Sequence, residues 1–302
     1  MKKSILDEKH FYNEKAAFKY VESIIWANGK NCPHCKSEAK IYELKGKSTR
    51  EGLHKCGDCR KQFTVRVGTI FEDSHIPLHK WLQAIFLLAS SKKGISSHQL
   101  HRTLQITYKS AWFLSHRIRE AMKPSGDIDM MGGEGKIVEA DETYIGNKGK
   151  QKEGARGWSH KEKVFSLVER GGKVRSHHVQ LTNVKTLLPI LQRQVKQETI
   201  LMTDEARQYI KIGKEFKQHD VVVHSKKEYV RGNSHTNTIE GFFSIFKRGM
   251  KGVYQHCKSN HLQRYLYEFD FRYNTKDIAD IERASNIVAG FIGKRLTYKK
   301  AY

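Results

Sequence analysis

Two tight cysteine pairs limit what the first quarter of this chain can become. Cys32-x-x-Cys35 and Cys56-x-x-Cys59 have 20 residues between them and flank a polar, β-rich segment. Two such knuckles let four thiolates close a tetrahedron around Zn²⁺ at ~2.3 Å, with the intervening strands forming a ribbon. A redox pair, or cysteines used as small buried apolar side chains, would not need the doubled spacing. Four thiolates fill the coordination shell, so the reading is a structural Zn²⁺ held by Cys32, Cys35, Cys56 and Cys59. His34 and His54 read as exposed neighbours, and Cys257 as a free thiol.

Five cysteines in 302 residues are too few for a secreted disulfide framework. The 55 Lys and Arg against 32 Asp and Glu leave a formal charge of +23, which points to a polyanionic partner. A hydrophobic share of 38% is enough for real cores and argues against a disordered chain. The longest apolar run, Trp81 to Ala89, falls short of the ~20 residues of a membrane span, and the lysines near the N-terminus precede no apolar stretch. The expected setting is cytoplasmic, with no membrane partner.

Residues 7–29 carry apolar positions at helical spacing and stop at Asn28-Gly29. Residues 79–124 read as three helices, with Ser96 to Gln99 as a capping box between the first and second. The second and third, ~96–104 and ~108–122, resemble a helix-turn-helix that leaves Lys109, Arg117 and Arg119 for phosphates or base edges. A small three-helix packing unit with a solvated basic face has the same pattern. Residues 125–135 read as a glycine-rich linker. Strands are then expected at 137–146, 164–170, 174–181, 199–204 and 220–224, with helices from about 184 to 195 and after 205. That order predicts a mixed sheet flanked by helices. A last amphipathic helix near the C-terminus is expected to cover the sheet or to contact a partner subunit.

Three carboxylates stand out in this second half. Asp141 lies mid-strand beside Glu142, in an apolar strand that should keep charge out, and an acid there is costly unless it meets a cation. Asp204 closes another strand, and Glu240 follows it after 35 intervening residues. At ~100° per residue, Ile239, Phe242, Phe243, Phe246 and Met250 share the apolar face of the helix that carries Glu240. Lys247 lies two turns beyond Glu240 on nearly the same stripe. Singly, each acid reads as a strand-end or helix-surface charge; the constellation carries more.

Strand Asp, strand-end Asp, helix Glu and a Lys seven residues on resemble the DDE (DDEK) transposases of bacterial insertion sequences. The segments CPHC…CGDC, ADETYIGNKGK, HTNTIEGFFSIFKRGMKGVY and HLQRYLYEFDFRYN resemble the ISXO-like group, which has an N-terminal zinc ribbon. The resemblance implies an α/β multidomain protein. An N-terminal helix and zinc ribbon would take residues 1–72, a helix-turn-helix-like DNA-binding segment 73–125, an RNase H-like mixed-sheet catalytic domain 133–275, and a C-terminal helix with a basic tail 276–302.

For function, it implies cleavage at insertion-sequence ends and joining of the 3′-hydroxyls to target DNA. Asp141, Asp204 and Glu240 would hold two Mg²⁺ (or Mn²⁺) ions, with Asp141 shared between them. Asn237, one turn before Glu240, is the alternative third ligand. Lys247 and Arg248 would contact phosphates near the scissile bond, and Lys148 and Lys150 in the basic loop after the first strand would make backbone contacts. The partners implied are double-stranded DNA, as terminal inverted repeats and target, and a second copy when assembled on DNA. The location implied is the bacterial nucleoid. A zinc-ribbon and helix-turn-helix regulator, an inactive remnant, and a nuclease that never joins ends are the competing readings.

Overall fold

A computed structural model describes residues 4–126, 128–146, 160–222 and 235–301. They form two compact units, one of Met1–Pro124 with Asp277–Tyr302 and one of Ser125–Lys276. Among the described residues no helix is long and apolar enough to cross a membrane.

In the first unit, helix α1 (Glu14–Ile25) starts at Asn13, whose side chain accepts from the Ala16 amide at 2.9 Å. Strands β1 (Ile41–Glu43), β2 (His54–Cys56) and β3 (Gln62–Phe63) make the antiparallel ribbon. His54 is buried rather than exposed as expected. Its ring lies between Trp26 and Phe63, with centroids at 5.0 and 5.9 Å, and its Nε2 sits 3.0 Å from the Glu22 carboxylate. The imidazole therefore joins α1 to the ribbon. His34 is exposed.

Helices α2 (Leu78–Ser90), α3 (Ser97–Leu104) and α4 (Tyr108–Met122) follow. Ser96 accepts from the Gln99 amide and Thr107 from the Ser110 amide, which starts α3 and α4 where the sequence predicts. Gln105, left-handed at φ 50°, makes the turn between them. Two of the cations expected on the outer face of α4 are buried. Arg117 lies over the Trp81 and Phe113 rings and donates to the Glu72 carbonyl at 2.6 Å; burial pushes its pKa down to about 10. Arg119, 1% exposed, donates to the Ser115 hydroxyl at 3.0 Å. Long cationic side chains can lie along apolar surface, so helical spacing alone misassigned them. Lys109 is exposed, its ammonium 4.6 Å from the Tyr298 ring centroid.

The C-terminal segment, expected to cover the sheet or to contact a partner subunit, belongs to this unit. Helix α9 (Asp280–Ala289) packs on α1, α2 and α4. Phe291, just beyond it, meets Phe71 and Trp81. Lys294 donates to the Ala121 carbonyl at 2.8 Å, satisfying the C-terminal end of α4.

The second unit is a five-stranded mixed sheet in the order β6-β5-β4-β7-β8. Its strands are β4 (Ile137–Ile145), β5 (Glu162–Glu169), β6 (Val174–Val179), β7 (Ile200–Asp204) and β8 (Gln218–Val222). β4, β5 and β6 pair antiparallel, while β4, β7 and β8 run parallel. This agrees with the RNase H-like mixed sheet expected. Helices α5 (Val184–Gln194) and α6 (Arg207–Ile212) close one apolar layer around Val138, Ala140, Phe165 and Leu201. Helices α7 (Asn237–Gly249) and α8 (Ser259–Asn274) close the other, around Val164, Val168 and Val174. The stretch expected as a linker packs against the sheet from Met131 onward. Met131 is buried and bridges to Val195, and Gly132, at φ 76°, lies so close to Thr199 that a Cβ would sit 2.1 Å from its hydroxyl.

Edge strand β6 is sealed by side chains of α8. Asn274 accepts from the Val174 amide and donates to its carbonyl, at 2.7 and 3.0 Å. Asp270 accepts from the Ser176 amide and hydroxyl, both at 2.7 Å. Gln263 donates to the Ser176 carbonyl at 3.0 Å and accepts from the His178 amide at 2.8 Å.

Candidate active site

The candidate site lies at the C-terminal ends of the central parallel strands. β4 and β7 pair Val138 with Leu201 and Glu139 with Met202; two residues further along each strand stand Asp141 and Asp204. Strand alternation puts Asp141 on the same face as Glu139, the face that α7 covers. Asp204 ends β7, and its Oδ1 accepts from the Ala206 amide at 3.0 Å, turning the chain toward α6.

Asp141 feels all its acidic neighbours. Burial pushes its carboxyl up to about 8, and the negative charges of Asp204, Glu142 and, more weakly, Glu240 add to the shift. Glu142 faces the other side of β4 and is raised to about 7, chiefly by burial; Gln208 donates to it at 3.1 Å and the Tyr209 hydroxyl lies beside it. Tyr209 belongs to the apolar layer that α5 and α6 close.

Glu240 is exposed on the first turns of α7 and accepts from the Thr236 hydroxyl at 2.9 Å. Asn237, the alternative third ligand, is the exposed first residue of the same helix. Lys247 is half-buried, and burial lowers its pKa while the charge of Asp141 opposes that shift. The ammonium expected near the acids is therefore within electrostatic reach of Asp141. Arg248 is exposed and folds back to donate to the Ser244 carbonyl and hydroxyl, at 3.1 and 2.9 Å. Lys148 and Lys150 lie outside the described residues. The three acids present only oxygen donors, the set that hard divalent cations take.

Glu139 and Arg170 are not among the residues that spacing or the family resemblance indicates. Glu139 is fully buried; its carboxylate accepts from Arg170 Nε at 2.6 Å, the Thr238 hydroxyl at 2.9 Å and the Ile239 amide at 2.9 Å. A second acid on the same face of an apolar strand was the one available signal.

In the ribbon, Cys32, Cys35, Cys56 and Cys59 bring their sulfurs within 4.8 Å of one another. The Cys32–Cys59 and Cys35–Cys56 separations are 3.6 and 3.7 Å. A tetrahedron with Zn–S bonds of ~2.3 Å has an edge of about 3.8 Å. The cluster thus fits a structural zinc ion.

Comparison with known proteins agrees with this geometry. Residues 131–274 match the ISXO2-like transposase domain, and residues 12–62 match the transposase zinc-ribbon domain. A Halobacterium salinarum protein described as an uncharacterized protein in transposable element ISH50 is 28% identical over 280 residues, covering 87% of this chain and 92% of its own length. An uncharacterized transposase-like protein of Haemophilus influenzae is 29% identical over 108 residues, 35% of this chain and 86% of its own. The two domain matches do not overlap and agree with the two regions read from the structure, so the chain carries an ISXO2-like transposase domain preceded by a transposase zinc-ribbon domain.

Proposed function

We propose that the chain cuts DNA at the ends of an insertion sequence and transfers the 3′-hydroxyl ends into target DNA, with divalent metal ions held by Asp141, Asp204 and Glu240. The observation that carries this reading is the convergence on Asp141 of acids from β4, β7 and α7, which burial alone would drive apart. Mg²⁺ or Mn²⁺ bound there would supply Lewis acidity, activating the attacking oxygen and stabilising the leaving one. Asp141 and Asp204 fix two ligand positions on a rigid pair of strands. Glu240, oriented by the Thr236 hydroxyl, brings the third from the helix. Lys247 and Arg248 hold the scissile phosphate region by charge, Lys148 and Lys150 add contacts to the DNA backbone, and Lys109 contributes from the helix-turn-helix. The substrates are the terminal inverted repeats and target DNA, and two copies assemble on the paired ends.

The test is a strand-transfer assay with labelled element-end DNA, plasmid target, and Mg²⁺ or Mn²⁺. Joined products are expected, and Asp141→Asn, Asp204→Asn and Glu240→Gln should each abolish them while leaving DNA binding intact. Cleavage without joining would make the protein a nuclease; binding with no metal-dependent cleavage would leave a regulator or an inactive remnant. Full activity in Glu240→Gln with loss in Asn237→Ala would move the third ligand to Asn237.

A further inference from the structure

We propose that Glu139 is a positioning residue, which holds the three acids in register from a buried cluster behind them. The proposal rests on the acid-site reading above and extends it to a residue outside the site. The N-cap position before helix α7 is held by Thr236, a residue type that ordinarily caps its own helix. Here the Thr236 side chain makes no cap; its hydroxyl donates to Glu240 instead, at 2.9 Å. The first turn of α7 would lose that partner. Glu139 replaces it from β4, accepting from the Ile239 amide through one oxygen and from the Thr238 hydroxyl through the other. The strand carboxylate does the capping, which frees the threonine to orient the helix carboxylate.

The cluster reaches each segment that bears an acid. Glu139 stands two residues before Asp141 on the same strand face. Arg170, bound to Glu139 at 2.6 Å, also lies 2.9 Å from the sulfur of Met202, two residues before Asp204. The same guanidinium donates to the His235 carbonyl at 2.6 Å, which fixes the chain entering α7. Thr238 and Ile239, which Glu139 holds, immediately precede Glu240. Every acid is therefore anchored within two residues of its own position, and all the anchors meet at one carboxylate. Residues that orient metal ligands in this way commonly change metal affinity by about 10–100-fold when altered.

The experiment measures Mn²⁺ binding by the full-length protein, from the electron paramagnetic resonance signal of free Mn²⁺, beside strand transfer and thermal unfolding. Asp141→Asn comes first. If it binds Mn²⁺ as the unaltered protein does, the acid-site reading fails and this proposal falls with it. Once Asp141 dependence is established, Glu139→Gln is expected to weaken Mn²⁺ binding about ten-fold or more at temperatures where it stays folded. Leu187→Ala, in the apolar layer on the opposite face of the sheet, controls for destabilisation alone and should bind Mn²⁺ normally. Equal Mn²⁺ affinity in Glu139→Gln and Leu187→Ala would overturn the proposal.

Thr236→Val gives an independent measure, and it decides the matter if Glu139→Gln does not fold. It leaves Glu139 in place and removes only the hydroxyl that orients Glu240. Weakened Mn²⁺ binding restored by Thr236→Ser supports the division of labour; unchanged binding in Thr236→Val refutes it.

Discussion

Helices α2 and α7 begin in the same unusual way, in different units of the molecule. Neither is capped by the side chain at its own N-cap position, Pro77 in one case and Thr236 in the other. Both are capped by a glutamate from elsewhere. Glu14 of α1 accepts from the Leu78 and His79 amides at 2.8 and 3.1 Å, beside Arg66 and the His79 ring. Glu139 of β4 accepts from Ile239, beside Arg170 and His235. The glutamate–arginine–histidine grouping is shared, but its setting is not. The Glu14 side chain is 30% exposed and caps a helix of the N-terminal unit; Glu139 is fully buried and shares a strand with Asp141. One arrangement secures a helix, and its buried counterpart also sets where an acid stands.

The sharpest way to break this comparison is to remove the arginine from the buried group. Arg170→Met leaves Glu139 as an uncompensated buried charge and should cost about 3–5 kcal/mol, measured by urea unfolding followed by circular dichroism. A loss below ~1 kcal/mol would make the buried group no more demanding than an exposed ion pair. Next comes Glu14→Ala, expected to cost about 1–2 kcal/mol through the lost cap while strand transfer by the folded protein is unchanged. Pro77 has extended backbone angles, so Pro77→Asp in that background should recover about 1 kcal/mol by capping α2 locally. Failure to recover would shift the role of Glu14 from the cap to its pairing with Arg66.

The smaller effects are in pH dependence. Glu14 is held below the usual carboxylate range: burial opposes this, but the Leu78 and His79 hydrogen bonds and the Arg66 charge outweigh it. Its contribution is present above the unfolded glutamate pKa and disappears as pH falls through the lowered folded value, so Glu14→Gln should flatten the acid limb of the stability curve. Asp270 behaves oppositely, pushed up to about 7 by burial. The folded state then holds a proton that the unfolded state releases, and stability falls as pH rises from ~4 to about 7. Asp270→Asn keeps a donor and an acceptor for Ser176 and should remove that slope.

Local features of the sequence were legible because their physics is local. Asn13, Ser96, Thr107 and Asn183 each accept from an amide three residues on, and each starts a helix. The cysteine pairs lie on one small ribbon. The strands were found by their apolar pattern, and Asp141, Asp204 and Glu240 stood out through their spacing and the family resemblance. Glu139 did not, because its partners lie 31 residues away at Arg170 and 99 and 100 away at Thr238 and Ile239. Arg117 and Arg119 were misplaced for a related reason. Helical periodicity gives the angle at which a side chain leaves the helix, but whether an aromatic surface waits there is decided by the fold. Glu14 was likewise invisible as a cap, since Leu78 is 64 residues on.

The seal on β6 works as a matched pair of rulers. Running one way, the strand presents Val174, Ser176 and His178; running the other, α8 answers with Asn274, Asp270 and Gln263. Four residues of helix advance ~6 Å and two residues of strand ~6.6 Å, so the first two contacts fall into step. Deleting or inserting one residue between Gln263 and Asn274 would turn the later contacts by ~100° around the helix and strip the strand edge of partners at a stroke. Single substitutions there lose the two hydrogen bonds of one side chain, whereas a change of length exposes a row of backbone amides and carbonyls to any passing strand. For these contacts the length of the helix matters more than the identity of any one of the three side chains.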